Sequence, residues 1–176
     1  MKLSRVERLI LSNQYSILAA LYPNEAKSYT EMREIVESGY EFHYSEIAQH
    51  ILDNDDVMSE DECLEVLDIL TMFSAIKRSF NSLEDKPSVQ EHDIRFRGFD
   101  GNNETKYMLY AQFFCDSQGG RFEDLDRGDN FNSHLPSLDM YRRQLVEWNR
   151  SKDKHKLTKE EIERIVAEAV HPENRS

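Results

Sequence analysis

His92 and Asp93 stand side by side, a pairing that metal-dependent phosphohydrolases use together with a further His and a distant Asp. His43 or His50 would have to supply the upstream ligand, with nothing to choose between them. The dipeptide follows Pro87 in a linker rather than sitting on a helix that converges on a metal, so a surface histidine is the plainer reading and no metal ligands are assigned. Glu46 and His50, one helical turn apart, read as an exposed i,i+4 pair. A calcium loop over Asp53, Asp55, Val57, Ser59 and Asp61 fails at Met58, where a glycine must turn the chain, and at Leu64, where a bidentate Glu must close the site.

Covalent chemistry has no better start. Cys63 and Cys115 sit in apolar helical patterns with no metal-ligand spacing and no neighbouring His to hold a thiolate, so both read as reduced, buried thiols. No GxSxG, P-loop or GxGxxG is present, and no cofactor is expected. The polar residues placed to meet a ligand are Asn13 and Gln14 on the first helix, Asp100 at a helix start, and Arg121, Asn132 and His134 on a long loop. Asn13 and Gln14 fall nearest the apolar stripe of their helix, where buried amides either bond a neighbouring backbone or line a pocket.

These residues need elements to hold them. Residues 3–22 repeat Leu3, Val6, Ile10, Ile17 and Leu21 at helical spacing beside Leu11, Tyr15, Leu18 and Tyr22, a broad apolar face closed by Pro23. A helix over 25–38 ends at Gly39, and a shorter one covers 44–53. Ser59 and Glu62 make a capping box for a helix to Leu83 whose apolar residues cover most of its circumference, which puts it at a bundle centre or in a subunit interface. Asp100 starts a helix running to about Cys115. Two more helices cover 137–150 and 158–169, the last opened by a Thr158–Glu161 capping box. Alternation over 93–97, with 120–123 as partner, predicts a small β-ribbon. The loop 116–136 is long enough to expect order and function in it.

The expected architecture is therefore mainly α, a bundle of about seven helices in one domain over residues 1–176, with a flexible tail at 170–176. The net charge of −12 is concentrated: Glu41 to Asp68 holds ten acidic residues and no Lys or Arg. That surface opposes a phosphate backbone and favours solubility or a basic protein partner, so neither the 45–48 segment nor the helix after it reads DNA. No stretch is long and apolar enough for a membrane span or a signal peptide, which makes the cytoplasm the expected compartment.

Arg8-Leu9-Ile10-Leu11-Ser12-Asn13-Gln14-Tyr15, then Gly98-Phe99-Asp100 with Glu104 and Tyr107, then Phe131-Asn132 with Pro136, Tyr141 and Trp148, resemble in order and spacing the YfbU family of bacteria and archaea over residues 4–166. The resemblance transfers no catalytic residues. Some relatives carry an added helix-turn-helix domain, which implies that the shared region senses a ligand or binds a partner. The expectation is a non-enzymatic module that self-associates as a homodimer or larger and binds a small-molecule ligand or a protein. The alternative is a metal-dependent hydrolase of a phosphorylated or nucleotide-like small molecule.

Overall fold

The computed structural model describes residues 1–49, 51, 57–117, 121–171 and 173. Among them are seven α-helices and three short 3-10 turns, so the chain is mainly α. The helices are α1 (Arg5–Leu21), α2 (Ala26–Ser38), α3 (Tyr44–Ile47), α4 (Glu60–Ser82), α5 (Thr105–Ser117), α6 (Leu138–Trp148) and α7 (Lys159–Ala167). None is long and apolar enough to cross a membrane. The chain gathers into two compact units, Met1–Val57 and Met58–Ser176.

In the first unit α1 and α2 pack as a hairpin. Ser4 and Glu7 form a reciprocal capping box at the start of α1, and Gly39 ends α2 in the left-handed conformation, φ 73°, that a glycine adopts without a Cβ clash. Ser12 donates to Glu37 Oε1 at 2.7 Å, and Arg8 and Arg33 reach Val36 O and Ser16 Oγ across the same seam. The apolar face expected of α1 divides. Leu11, Tyr15 and Leu18 are half-buried, whereas Val6, Ile10, Ile17 and Leu21 are exposed, because α2 covers only one side of the helix. Asn13 and Gln14 are exposed too, and the buried polar residue of this helix is Ser12.

In the second unit α4 is the axis, with α5, α6 and α7 packed on it. Its expected capping box is present, Glu62 N donating to Ser59 Oγ and Ser59 N to Glu62 Oε2. Val66, Ile69, Leu70, Met72, Phe73 and Ile76 are fully buried. Of the two places its apolar circumference allows, the helix takes the bundle centre: its neighbours within the unit cover it, and Leu64 is its one strongly exposed large apolar residue among those described. Three ion pairs hold the helices in place. Lys106 on α5 meets Glu62, Arg142 on α6 grips both oxygens of Glu65 at 2.8 and 3.0 Å, and Arg164 on α7 meets Glu147 at 2.8 Å.

The expected β-ribbon does not form among the described residues. Ile94 and Phe96 are buried while Arg95 and Arg97 are exposed, so the alternation is real. It belongs to a single irregular segment, bent at Ile94 and Arg95, whose apolar residues enter the core, while residues 121–124 make turns and Gly120 lies outside the described residues. Likewise α3 stops at Ile47, and the rest of the helix expected over 44–53 falls partly outside them.

Candidate functional site

The Gly98–Glu104 segment starts from a backbone only glycine accepts. Gly98 has φ 90°, and a Cβ there would stand 2.0 Å from the Phe131 carbonyl oxygen. That close approach lets Phe99 N donate to Phe131 O and Ser133 N to Phe99 O, a single parallel bridge between Phe99 and Asn132. Asn132 Oδ1 then accepts from Gly101 N and His134 N. Tyr141, fully buried, accepts from Arg97 N and donates to Gly98 O at 2.9 Å, and burial pushes its phenol pKa up. Phe73, Phe96, Phe99, Phe131 and Tyr141 pack as one aromatic cluster, ring centroids 5.2 to 5.7 Å apart.

Glu104 is the polar keystone beneath this clamp. Its Oε1 accepts from Ser137 N and Leu138 N, both at 2.8 Å, and its Oε2 from Asp100 N at 3.0 Å. A buried carboxylate at the start of α6 answers donors the helix cannot satisfy itself. Asp100 does not cap α5, which begins at Thr105. It folds an Asx turn, accepting from Asn102 N at 3.0 Å and from the Asn103 side chain, and those donors lower its carboxyl pKa.

Two adjoining clefts lie beside this clamp. One, about 510 Å³, runs between α4 and the 90–96 segment, lined among others by Lys77, Asn81, His92 and Arg95. The second, about 400 Å³, is lined by His92, Arg95, Arg97, Gly128, Asp129, Asn132 and Ser133. They share His92 and Arg95. Most of the charge here is already answered: Arg95 pairs with Asp126 at 3.0 Å, Asp129 with His134 at 2.9 Å and His92 with Asp93 at 3.2 Å, while Lys77 Nζ donates to Asp124 O. The exposed Arg97 guanidinium has no hydrogen bond or ion pair among the described residues. Beside the second cleft Asn130, Phe131 and His134 take positive φ, 49°, 61° and 57°, a strained conformation for non-glycine residues.

Of the six residues expected at a ligand site, Asn132 lines the second cleft, Asp100 is buried in the clamp behind it, and His134 sits exposed on Asp129. Arg121 lies over the Phe114 and Phe122 rings, and Asn13 and Gln14 belong to the first unit. Sequence reasoning passed over Arg95 and Arg97. Their signal was present: alternation with the buried Ile94 and Phe96 leaves both arginines exposed.

Among the described residues no group of three or more His, Cys, Asp or Glu stands close enough to hold a metal ion. His92 pairs with its own neighbour Asp93, and His43 with Glu46 at 3.1 Å, so neither converges with other ligands; His50, Asp53 and Asp55 lie outside the described residues. Burial raises the Cys115 thiol pKa, opposite to what an activated nucleophile needs.

UPF0304 protein MJECS11 of Methanocaldococcus jannaschii is 39% identical over 171 residues, 91% of this chain and 96% of that protein. The YfbU domain matches residues 1–168, which include the Gly98–Glu104 clamp, Asn132 and Tyr141, and the chain therefore belongs to the YfbU family.

Proposed function

We propose that this chain is a non-catalytic binding module whose second unit takes a small ligand bearing a carboxylate or phosphate group in the paired clefts around Arg95 and Arg97. The observation that carries this reading is the unanswered Arg97 guanidinium in a cleft whose one lining carboxylate, Asp129, is already paired with His134, while Asp126 of the adjoining cleft is paired with Arg95. A planar guanidinium with free donors suits a carboxylate or phosphate in a bidentate grip. His92 and Asn132 stand within the same lining to take further polar groups, and the adjoining cleft gives room for the rest of a small molecule. The left-handed residues at 130, 131 and 134 support the reading, since strain of this kind gathers at sites where a loop must present its groups in one arrangement.

Calorimetric titration with inorganic phosphate, citrate and nucleoside monophosphates tests it. At least one of these should bind, and Arg97→Ala should weaken that binding about tenfold or more, because a charged hydrogen bond contributes about 1.5–3 kcal/mol. Arg97 is exposed, so the substitution should leave thermal stability unchanged. Absence of binding across the panel, or equal binding by Arg97→Ala, would reject the site.

A further inference from the structure

The first unit leaves an apolar stripe on α1 that no other described residue of 1–57 covers. Val6, Leu9, Ile10, Ile17 and Leu21 are 51–66% exposed, and Asn13 lies among them. Counted along the helix, positions 6, 10, 13, 14, 17 and 21 are separated by steps of four, three, one, three and four residues. The series reads the same from either end. A stripe with that symmetry is complementary to a second copy of itself turned end for end: Val6 meets Leu21, Ile10 meets Ile17, and Asn13 meets Gln14. We infer that α1 is the seam of an antiparallel, two-fold dimer of this chain.

Three features support a second copy as the occupant. Each amide at the centre has donors and an acceptor, so Asn13 and the partner's Gln14 satisfy one another across the axis. That removes the cost of burying either amide alone. The ends also match. Lys2 and Arg5 lie at the start of α1, while its last turn has no basic residue and Glu25 follows just beyond. An antiparallel pair brings the basic end of each helix to the carbonyl end of the other, whereas a parallel pair would set Lys2 and Arg5 against copies of themselves. Finally, the six side chains of the series present on the order of 500 Å² per copy, so a pair buries on the order of 1,000 Å², the lower bound of a specific interface. The same patch serves both subunits, as a closed two-fold contact requires.

The test is charge exchange across the axis, read by sedimentation equilibrium of the full chain at micromolar concentration. The wild-type chain should show about twice 20.8 kDa. Ile10→Lys and Ile17→Glu should each raise the dimer Kd about tenfold or more, since each buries a lone charge against an isoleucine. The double variant should recover the dimer, because Lys at 10 then faces Glu at 17 of the other copy. Residues 10 and 17 lie seven apart on one helix and do not pair within it. Both positions are exposed within their unit, and unchanged far-UV circular dichroism confirms the fold of each variant. A wild-type monomer, single variants that dimerise as well as wild type, or a double variant no better than either single would overturn the inference. A monomer with strongly protected α1 amides would do so as well, by placing the chain's own second unit on the stripe.

Discussion

Residues 58–176 bury an aliphatic and aromatic core around α4 and place Glu62, Glu104 and Glu161 where helix starts need acceptors. Residues 1–57 fully bury Val36 and Tyr44 among their apolar residues and leave Val6, Leu9, Ile10, Ile17, Leu21 and Phe42 exposed. A helical hairpin of that size with so little buried has a small hydrophobic return against its chain entropy. The difference teaches that similar apolar patterns on α1 and α4 serve opposite ends. On α4 they make a core; on α1 one half makes a seam with α2 and the other half is left for an outside surface.

The largest expected effect is on the second unit's keystone. Glu104→Ala leaves Asp100 N, Ser137 N and Leu138 N buried without an acceptor and should cost about 3–5 kcal/mol. Denaturation followed by fluorescence of Trp148, the one tryptophan and part of the second unit, measures this directly. A loss under about 1 kcal/mol would mean that water reaches these donors and that the polar clamp is not what sets the units apart. Gly98→Ala comes next, at about 2–4 kcal/mol, because a left-handed backbone and contact with the Phe131 carbonyl penalise the same added methyl. A crystal structure of that variant should show Phe131 displaced.

The sequence disclosed the helices where periodicity and caps agreed. Ser59 with Glu62 and Thr158 with Glu161 are reciprocal capping boxes in the fold, and α4 runs from Glu60 to Ser82 against an expectation of Ser59 to Leu83. It was mute on which stripe of α1 is covered, because both are apolar at the same period and only the position of α2 decides between them. The clefts were legible in part. Asn132 was picked out for its loop, but Arg97 reads as an ordinary surface cation until the fold shows which neighbouring charges are already paired. The residues that carry the family resemblance, Gly98, Asp100, Glu104 and Tyr141, build the clamp that holds the clefts rather than reaching into them.

A smaller effect comes from acid. Glu62 accepts from Lys106 and from Ser59 N, with Tyr107 adding a third donor, and its carboxyl pKa falls from 4.5 to about 2. A depressed folded pKa contributes stability that is complete above the unfolded value and is lost as pH falls from 4.5 through 2. Glu62→Gln should therefore flatten the acid limb of the stability profile between those values while leaving the self-association proposed for α1 untouched, since this contact lies within the second unit. Urea titrations of both proteins at several pH values in that window check it. An unchanged acid limb would show that the tie between α4 and α5 is answered by solvent.

The smallest expected effect belongs to the first unit. Ser12 donates to Glu37 at 2.7 Å and is its unit's one buried polar side chain among those described, so it is the nearest counterpart of Glu104. The resemblance is formal. Glu37 is half exposed and can turn its carboxylate to water when the hydroxyl is removed, whereas the donors on Glu104 cannot reach solvent. Alanine also gains a few tenths of a kcal/mol of helix propensity over serine. Ser12→Ala should then cost under about 1 kcal/mol, read from far-UV circular dichroism with Trp148 fluorescence as the control for the second unit. A loss above about 2 kcal/mol would require Ser12 to be as dry and as singly satisfied as the groups around Glu104. The hairpin would then hold itself together from within, without the contact proposed for the exposed stripe on α1.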